Sequence, residues 1–174
     1  WQEIVKEAAK VITFFDLAGH EKYLKTTVYG MTGNIPDYCM LMLGGNMGVT
    51  RMTKEHLGIA VNLALPAFVV VTKIDIAPEH VLQETINTIS KILKSNGAGR
   101  KMPKVITNLE DVVAAAKNVM NKKLVPIFKI SNVSGEGMDL LTTFLNLLPA
   151  RPHWEKKLLK PAELQIDESF TVTG

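Results

Sequence analysis

Ala67-Phe-Val-Val-Val71 is an unbroken apolar run set between a proline and a polar turn. A strand that alternates apolar and polar residues has one wet face, whereas an unbroken run is covered on both faces, as in a parallel sheet. Four other segments read as strands: Val11–Phe15, Tyr38–Leu43, a short Val105–Thr107 and Ile127–Ile130. Helical periods lie between them. Glu79–Leu93 places Leu82, Ile86, Ile89 and Leu93 on one stripe behind Pro78 at a first helical position. Met138–Leu148 does the same with Leu141, Phe144, Leu145 and Leu148 and stops before Pro149. A third helix runs through His56, Ile59, Ala60 and Leu63, with Thr53 as its cap. Strands alternating with helices predict an α/β fold with a doubly wound parallel sheet.

Composition narrows the class further. The 174 residues are 47% hydrophobic, a proportion that excludes disordered, collagen-like and disulfide-scaffold chains. Cys39 is the single cysteine and cannot close an internal disulfide, which fits a reducing compartment. No apolar run is long enough to span a bilayer. A net charge of +3 is too mild to argue for nucleic acid or a membrane surface. The expectation is a soluble, cytoplasmic domain. Cys39 and the methionines at 40, 42, 47 and 52 are expected to pack in or near the core, not in a redox or metal site.

Residues 97–125 read as an insertion between sheet elements: a basic turn, a short strand and a helix near Leu109–Met120. The expected organisation is one domain over 1–150, a linker over 151–162, and the first strands of a second domain over 163–174, where Leu164, Ile166, Phe170 and Val172 alternate. The chain opens at Trp1 without a methionine and stops just after a strand-like run, so both ends read as cut from something longer.

Three short stretches follow strands, where a doubly wound sheet binds its ligands. In Asp16-Leu-Ala-Gly19-His20 the acid can hold Mg²⁺ through a water, and the glycine lets a backbone N–H approach a phosphate oxygen. In Thr72-Lys73-Ile-Asp75 the carboxylate can accept from the N1–H and 2-amino groups of guanine while the lysine stem lies along the base. In Ser131-Asn132-Val133-Ser-Gly135 the backbone N–H groups can reach a base carbonyl. Each is weak alone. Their order at three strand ends, 59 and then 56 residues apart from Asp16 to Asp75 to Ser131, points to a guanine-nucleotide site.

Asp16-Leu-Ala-Gly-His-Glu-Lys-Tyr23 resembles the switch II segment of translational GTPases of the elongation factor Tu type. Met52-Thr-Lys-Glu-His56 and Leu65–Asp75 are similar to the same class. Lys22–Thr27, Met31-Thr-Gly33, Ile130–Ser134 and Glu163–Asp167 resemble one branch of it, the GTP-binding protein 1 and 2 family. The resemblance implies a GTPase domain of the phosphate-loop NTPase superfamily, binding GTP, GDP and Mg²⁺, followed by the start of a β-barrel. It implies that Asp16 is the water-mediated Mg²⁺ acid, that Gly19 senses the γ-phosphate and that His20 is catalytic, orienting the attacking water. It also implies that Lys73 and Asp75 read the base, with Thr72 beside them, while Ser131, Asn132 and Val133 close the pocket.

Two departures stand out. Thr72 occupies the place of an asparagine, losing an amide that would tie neighbouring loops together. There is also no G-x-x-x-x-G-K-[ST], and Gly44–Gly48 reads as a plain loop between strand and helix. The resemblance places the phosphate-loop strand between 11–15 and 38–43, so the sheet is expected to lack its first two strands. Two arrangements are expected: a piece whose phosphate-binding part lies outside it, or a sheet that closes up or pairs with a second copy. The parent is then a GTP-hydrolysing switch of the translation-factor type, while this chain alone neither binds GTP tightly nor hydrolyses it. The alternative is a non-catalytic interaction module docking on a ribosome, RNA or a protein through a basic face drawn from Lys22, Lys25, Arg51, Lys54, Arg100, Lys101, Lys104, Lys122 and Lys123. No membrane partner is expected.

Overall fold

A computed structural model of the chain describes residues 2–150 and 158–162. Four strands among these residues, β1 (Cys39–Gly44), β2 (Ala67–Thr72), β3 (Met102–Val105) and β4 (Leu124–Lys129), form one sheet. Their order is β1-β2-β4-β3, and every neighbouring pair is parallel. Six helices accompany them: α1 (Gln2–Glu7), α2 (Leu24–Gly33), α3 (Arg51–Asn62), α4 (Glu79–Lys94), α5 (Leu109–Asn118) and α6 (Met138–Leu147).

Side chains of β2 alternate between two cores, as a strand with period two must. Phe68 and Val70 pack with Val112, Ala115 and Ala116 of α5 and with Leu141 and Phe144 of α6. Val69 and Val71 pack with Leu57 of α3 and with Leu82, Ile86, Ile89 and Leu93 of α4. Both faces are therefore covered, so the run carries no polar residue. The rings of Phe68, Phe128 and Phe144 meet at centroid distances of 4.9–6.4 Å and anchor the first core.

Several sequence expectations need correction. Val11–Phe15 is not a strand: it runs without pairing to any described strand, and Phe14 is 59% exposed. A lone strand has no ladder to offset its ordering entropy, and among the described residues β1 pairs only with β2. Among the described residues no strand pairs with the other edge of β1. The short strand lies earlier than expected, at Met102–Val105, because its register is set by β4, from Met102 opposite Leu124 to Val105 opposite Ile127. The cap of α3 is Thr50, whose extended backbone lets Oγ1 accept from Thr53 N at 3.2 Å. Pro78 is the cap of α4 and stands just outside it. Met42 and Met47 are exposed, because Met42 points away from the Leu41 and Leu43 face and Met47 sits on the loop after β1. Helices α1 and α2 were not legible as apolar stripes, and α1 buries nothing.

The segment before Val11 is held at one point. Lys10 Nζ donates to the carbonyls of Leu145 (3.2 Å), Leu148 (2.7 Å) and Asn146 at the end of α6. A cation there satisfies orphan carbonyls and offsets the negative end of the helix. The second-domain expectation, 163–174, lies outside the described residues, as does most of the linker.

Candidate functional site

The ends of β2 and β4 are brought together because the two strands are hydrogen-bonded neighbours, with Val69 opposite Ile127 and Val71 opposite Lys129. The ladder continues into the loops: Ile130 N donates to Val71 O at 2.8 Å and Ile74 N to Ile130 O at 3.4 Å. Thr72–Asp75 and Ser131–Val133, which are 56 residues apart in sequence at Asp75 and Ser131, thus become adjacent turns.

Each turn is fixed from within. Lys73 sits at φ +60, a left-handed backbone that side-chain-bearing residues seldom adopt. Such strain persists only where the surroundings impose it, and it clusters at ligand sites. Lys73 and Asp75 are exposed while Ile74 between them is half-buried and packs on the second core. Ser131 is fully buried, and its Oγ accepts from Val133 N and Ser134 N, both at 3.1 Å. Asn132 and Val133 are left outside, Val133 at 87% exposed. The loop then folds back, with Ser131 N donating to Glu136 O at 3.0 Å.

Thr72 ties neighbouring loops after all. Its hydroxyl donates to Leu43 O at 3.1 Å, and its carbonyl accepts from Gly45 N at 2.8 Å. A Cβ on Gly45 would lie 3.0 Å from that carbonyl and within 3.3 Å of Leu82 and Val71 side chains. The loop after β1 is therefore part of the same construction, and Gly45 was missed in the sequence because its role is a close approach of two backbones. Gly137 was missed likewise: a Cβ there would meet Lys129 O at 2.0 Å.

Asp16, Gly19 and His20 lie elsewhere, on the exposed stretch between Val11 and α2. Leu17 packs beside Met31 and Ala60, and Thr27 Oγ1 donates to Ala18 O at 2.6 Å, so this stretch is pinned to α2. His20 Nδ1 accepts from Lys22 N at 3.1 Å and its ring meets the Tyr23 edge at 6.3 Å. Asp16 has no hydrogen bond or ion pair among the described residues. Nothing described brings this group against Asp75 or Ser131. The arrangement therefore sets an exposed lysine and an exposed carboxylate, Lys73 and Asp75, on one turn beside the Ser131 loop, and a separate exposed carboxylate, Asp16, on the stretch before α2. Among the described residues no group of three His, Cys, Asp or Glu side chains could hold a metal ion. His56, read in the sequence only as part of the third helix and of the family resemblance, has its Nε2 buried with no hydrogen-bond partner among the described residues, and burial lowers its pKa against the pull of Glu55.

The elongation factor Tu GTP binding domain family matches residues 3–150. GTP-binding protein 1 of Xenopus laevis is 53% identical over 174 residues, which is 100% of this chain and 26% of that protein. GTP-binding protein 2 of Homo sapiens is 41% identical over 98% of this chain and 29% of its own length. Among solved structures, translation elongation factor SelB from Methanococcus maripaludis in complex with the GTP analogue GppNHp superposes with a TM-score of 0.54 at 25% identity, over 78% of this chain and 25% of that one. The chain thus spans about a quarter of the length of these relatives.

Proposed function

The chain belongs to the elongation factor Tu GTP-binding domain family, and we propose that its β2 and β4 ends bind the guanine base of GTP and GDP within a larger GTP-hydrolysing switch. The observation that carries this reading is the adjacency of the Thr72–Asp75 and Ser131–Val133 turns, with Lys73 held at φ +60 between fixed neighbours. Asp75 accepts from the two guanine donors, the Lys73 stem covers one face of the ring, and the Ser131 loop, including Asn132 and Val133, presents N–H groups to the base carbonyl. Thr72 holds the turn to β1 and the loop after it.

Asp16, Gly19 and His20 are assigned to the phosphate side: Mg²⁺ contact through water, γ-phosphate sensing and orientation of the attacking water. Mg²⁺, when bound, neutralises charge on the phosphates; the single exposed Asp16 fits an outer contact and no more. Hydrolysis asks the protein mainly for positioning, so one well-placed side chain is a sufficient role for His20. The translation-factor setting is carried by the names of the relatives. Because phosphate contacts supply most nucleotide affinity, the chain alone holds guanine only in the millimolar range, about −4 kcal/mol.

Fluorescent GDP bound to the full-length protein with Mg²⁺, then competed by GTP and by ATP, tests the base assignment. GTP competes, ATP does not, and Asp75→Ala removes the difference, because a site built around donors on the base rejects a ring that lacks them. Equal competition by ATP, or full discrimination retained by Asp75→Ala, refutes it. His20→Ala slows turnover about 10²-fold or more without weakening GDP.

A further inference from the structure

Residues 85–135 hold nine Lys and Arg but only two carboxylates, Glu110 and Asp111, so this segment carries +7 in a chain whose net charge is +3. The remainder of the chain is therefore at −4. The fold concentrates the excess. Met102 opposite Leu124 brings the entry turns of β3 and β4 side by side, and Met102 N donates to Lys123 O at 2.7 Å. Lys101 Nζ donates to Lys122 O, and Lys101 N to Leu93 O at 2.8 Å, which adds the end of α4. Lys91, Lys94, Arg100, Lys101, Lys122 and Lys123 thus share the pole at the amino ends of the strands.

The two carboxylates do not neutralise this pole. Both lie in the first turn of α5, and Asp111 is taken by Lys104 at 3.0 Å. The Lys101 ammonium is destabilised first by burial and then by the Lys122 charge, as crowded cations are. The basic residues of the other edge are differently disposed: Arg51 pairs with Glu21 at 3.4 Å, and Lys22 and Lys25 lie over the rings of Tyr23 and Tyr29. The single basic face expected from the sequence is therefore split, and among the described residues none of the six cations at the β3 and β4 pole has a carboxylate partner.

We propose that this pole binds the phosphate backbone of single-stranded RNA. Arg100, Lys101, Lys122 and Lys123 sit on the entry turns of adjacent strands, a spacing of about 4.8 Å, with Lys91 and Lys94 in the last turn of α4, so several phosphates of one flexible strand can be met at once. None of the six cations lines the open apolar groove along α5 (Leu109, Val113, Ala114, Lys117), and Met102 is the one large exposed apolar side chain among these turns. A six-residue strand separates the pole from the guanine turns by about 20 Å, beyond the screening length of about 8 Å, so the two sites act independently.

Binding of a labelled 20-nucleotide oligo(U) to the full-length protein, measured between 50 and 200 mM salt (about four-fold), is the test. Each neutralised phosphate contributes about −0.7 to the log–log slope, so four contacts predict about −3. Lys94→Gln/Arg100→Gln/Lys123→Gln lowers affinity at least about ten-fold and flattens the slope by about 2, whereas Lys22→Gln/Lys25→Gln/Lys54→Gln leaves both unchanged. Thermal melting checks that the triple variant is folded; if it is not, Arg100→Gln and Lys123→Gln singly each reduce the slope by about 0.7. A flat salt dependence, a triple variant that binds like the parent, or equal competition by polyglutamate or anionic vesicles overturns the proposal.

Discussion

Two glycines of the Ser131 loop allow a clean separation of steric from conformational cost. Gly135 has φ +79 and Gly137 has φ +72, so each occupies the left-handed region where a Cβ is disfavoured. Their surroundings differ. A Cβ on Gly135 meets nothing within 4 Å, whereas one on Gly137 meets Lys129 O at 2.0 Å and Lys129 C at 3.2 Å. Lys129 is backbone at the end of β4, opposite Val71, and cannot turn aside like a side chain. Gly135→Ala should therefore cost only the left-handed penalty, about 1–2 kcal/mol. Gly137→Ala bears the same penalty plus overpacking of about 1–3 kcal/mol, since the loop or the strand end must move by roughly 1 Å.

Urea unfolding of the two variants measures the difference directly. With m near about 2 kcal/mol/M, an extra 2 kcal/mol for Gly137→Ala appears as a midpoint about 1 M lower than that of Gly135→Ala at unchanged m. Gly137→Ala should also weaken guanine binding, because the loop that carries Ser131–Val133 is anchored at this crossing. Equal midpoints for the two variants would refute the argument, since they would mean that the Lys129 carbonyl does not lie over Gly137.

Three further outcomes are expected. Phe144→Ala removes the fully buried ring between Phe68 and Phe128, and should cost about 3–5 kcal/mol in chemical denaturation. Hydrogen bonds from Lys104 and Thr107 hold the Asp111 carboxyl below its ordinary value of 3.8, so its stabilising contribution is complete above that value and is lost as pH falls through the lower folded one. The stability gap between the parent and Asp111→Asn should shrink as melts are taken from about pH 5, where the carboxylate is ionised folded and unfolded, toward about pH 2, and a gap that widens would contradict the sign. Burial pushes the Cys39 thiol up to about 11, so it should react slowly with iodoacetamide near about pH 8 when folded and fast in urea.

What could be read in advance depended on range. Apolar runs and helical stripes are local, so β2, α4 and α6 were legible nearly to the residue. Val11–Phe15 looked equally strand-like by composition, yet pairing is not a local property, and the segment lies unpaired. The Thr50 cap was misassigned by three residues because two threonines compete and only backbone angles distinguish them. Of the candidate site, the motif residues were visible by type and spacing; Gly45 and Gly137 were not, since each matters through a backbone that approaches from another element.

Local pattern fixed the layer architecture, because unbroken apolar strands and one-sided helices can bury their surfaces in few other ways. It also determined the chemical types offered at the strand ends: a carboxylate and a lysine stem after β2, a buried serine loop after β4. The tertiary structure alone decided which of these meet. The parallel pairing of β2 with β4 joins Thr72–Asp75 to Ser131–Val133, while the stretch carrying Asp16, Gly19 and His20 stays with α2. It also decided that β3 enters beside β4, gathering the lysines of a scattered basic segment at the pole away from the guanine turns. Strand order is set by burial and hydrogen bonding summed over the whole sheet, and no single stretch of the chain encodes that sum.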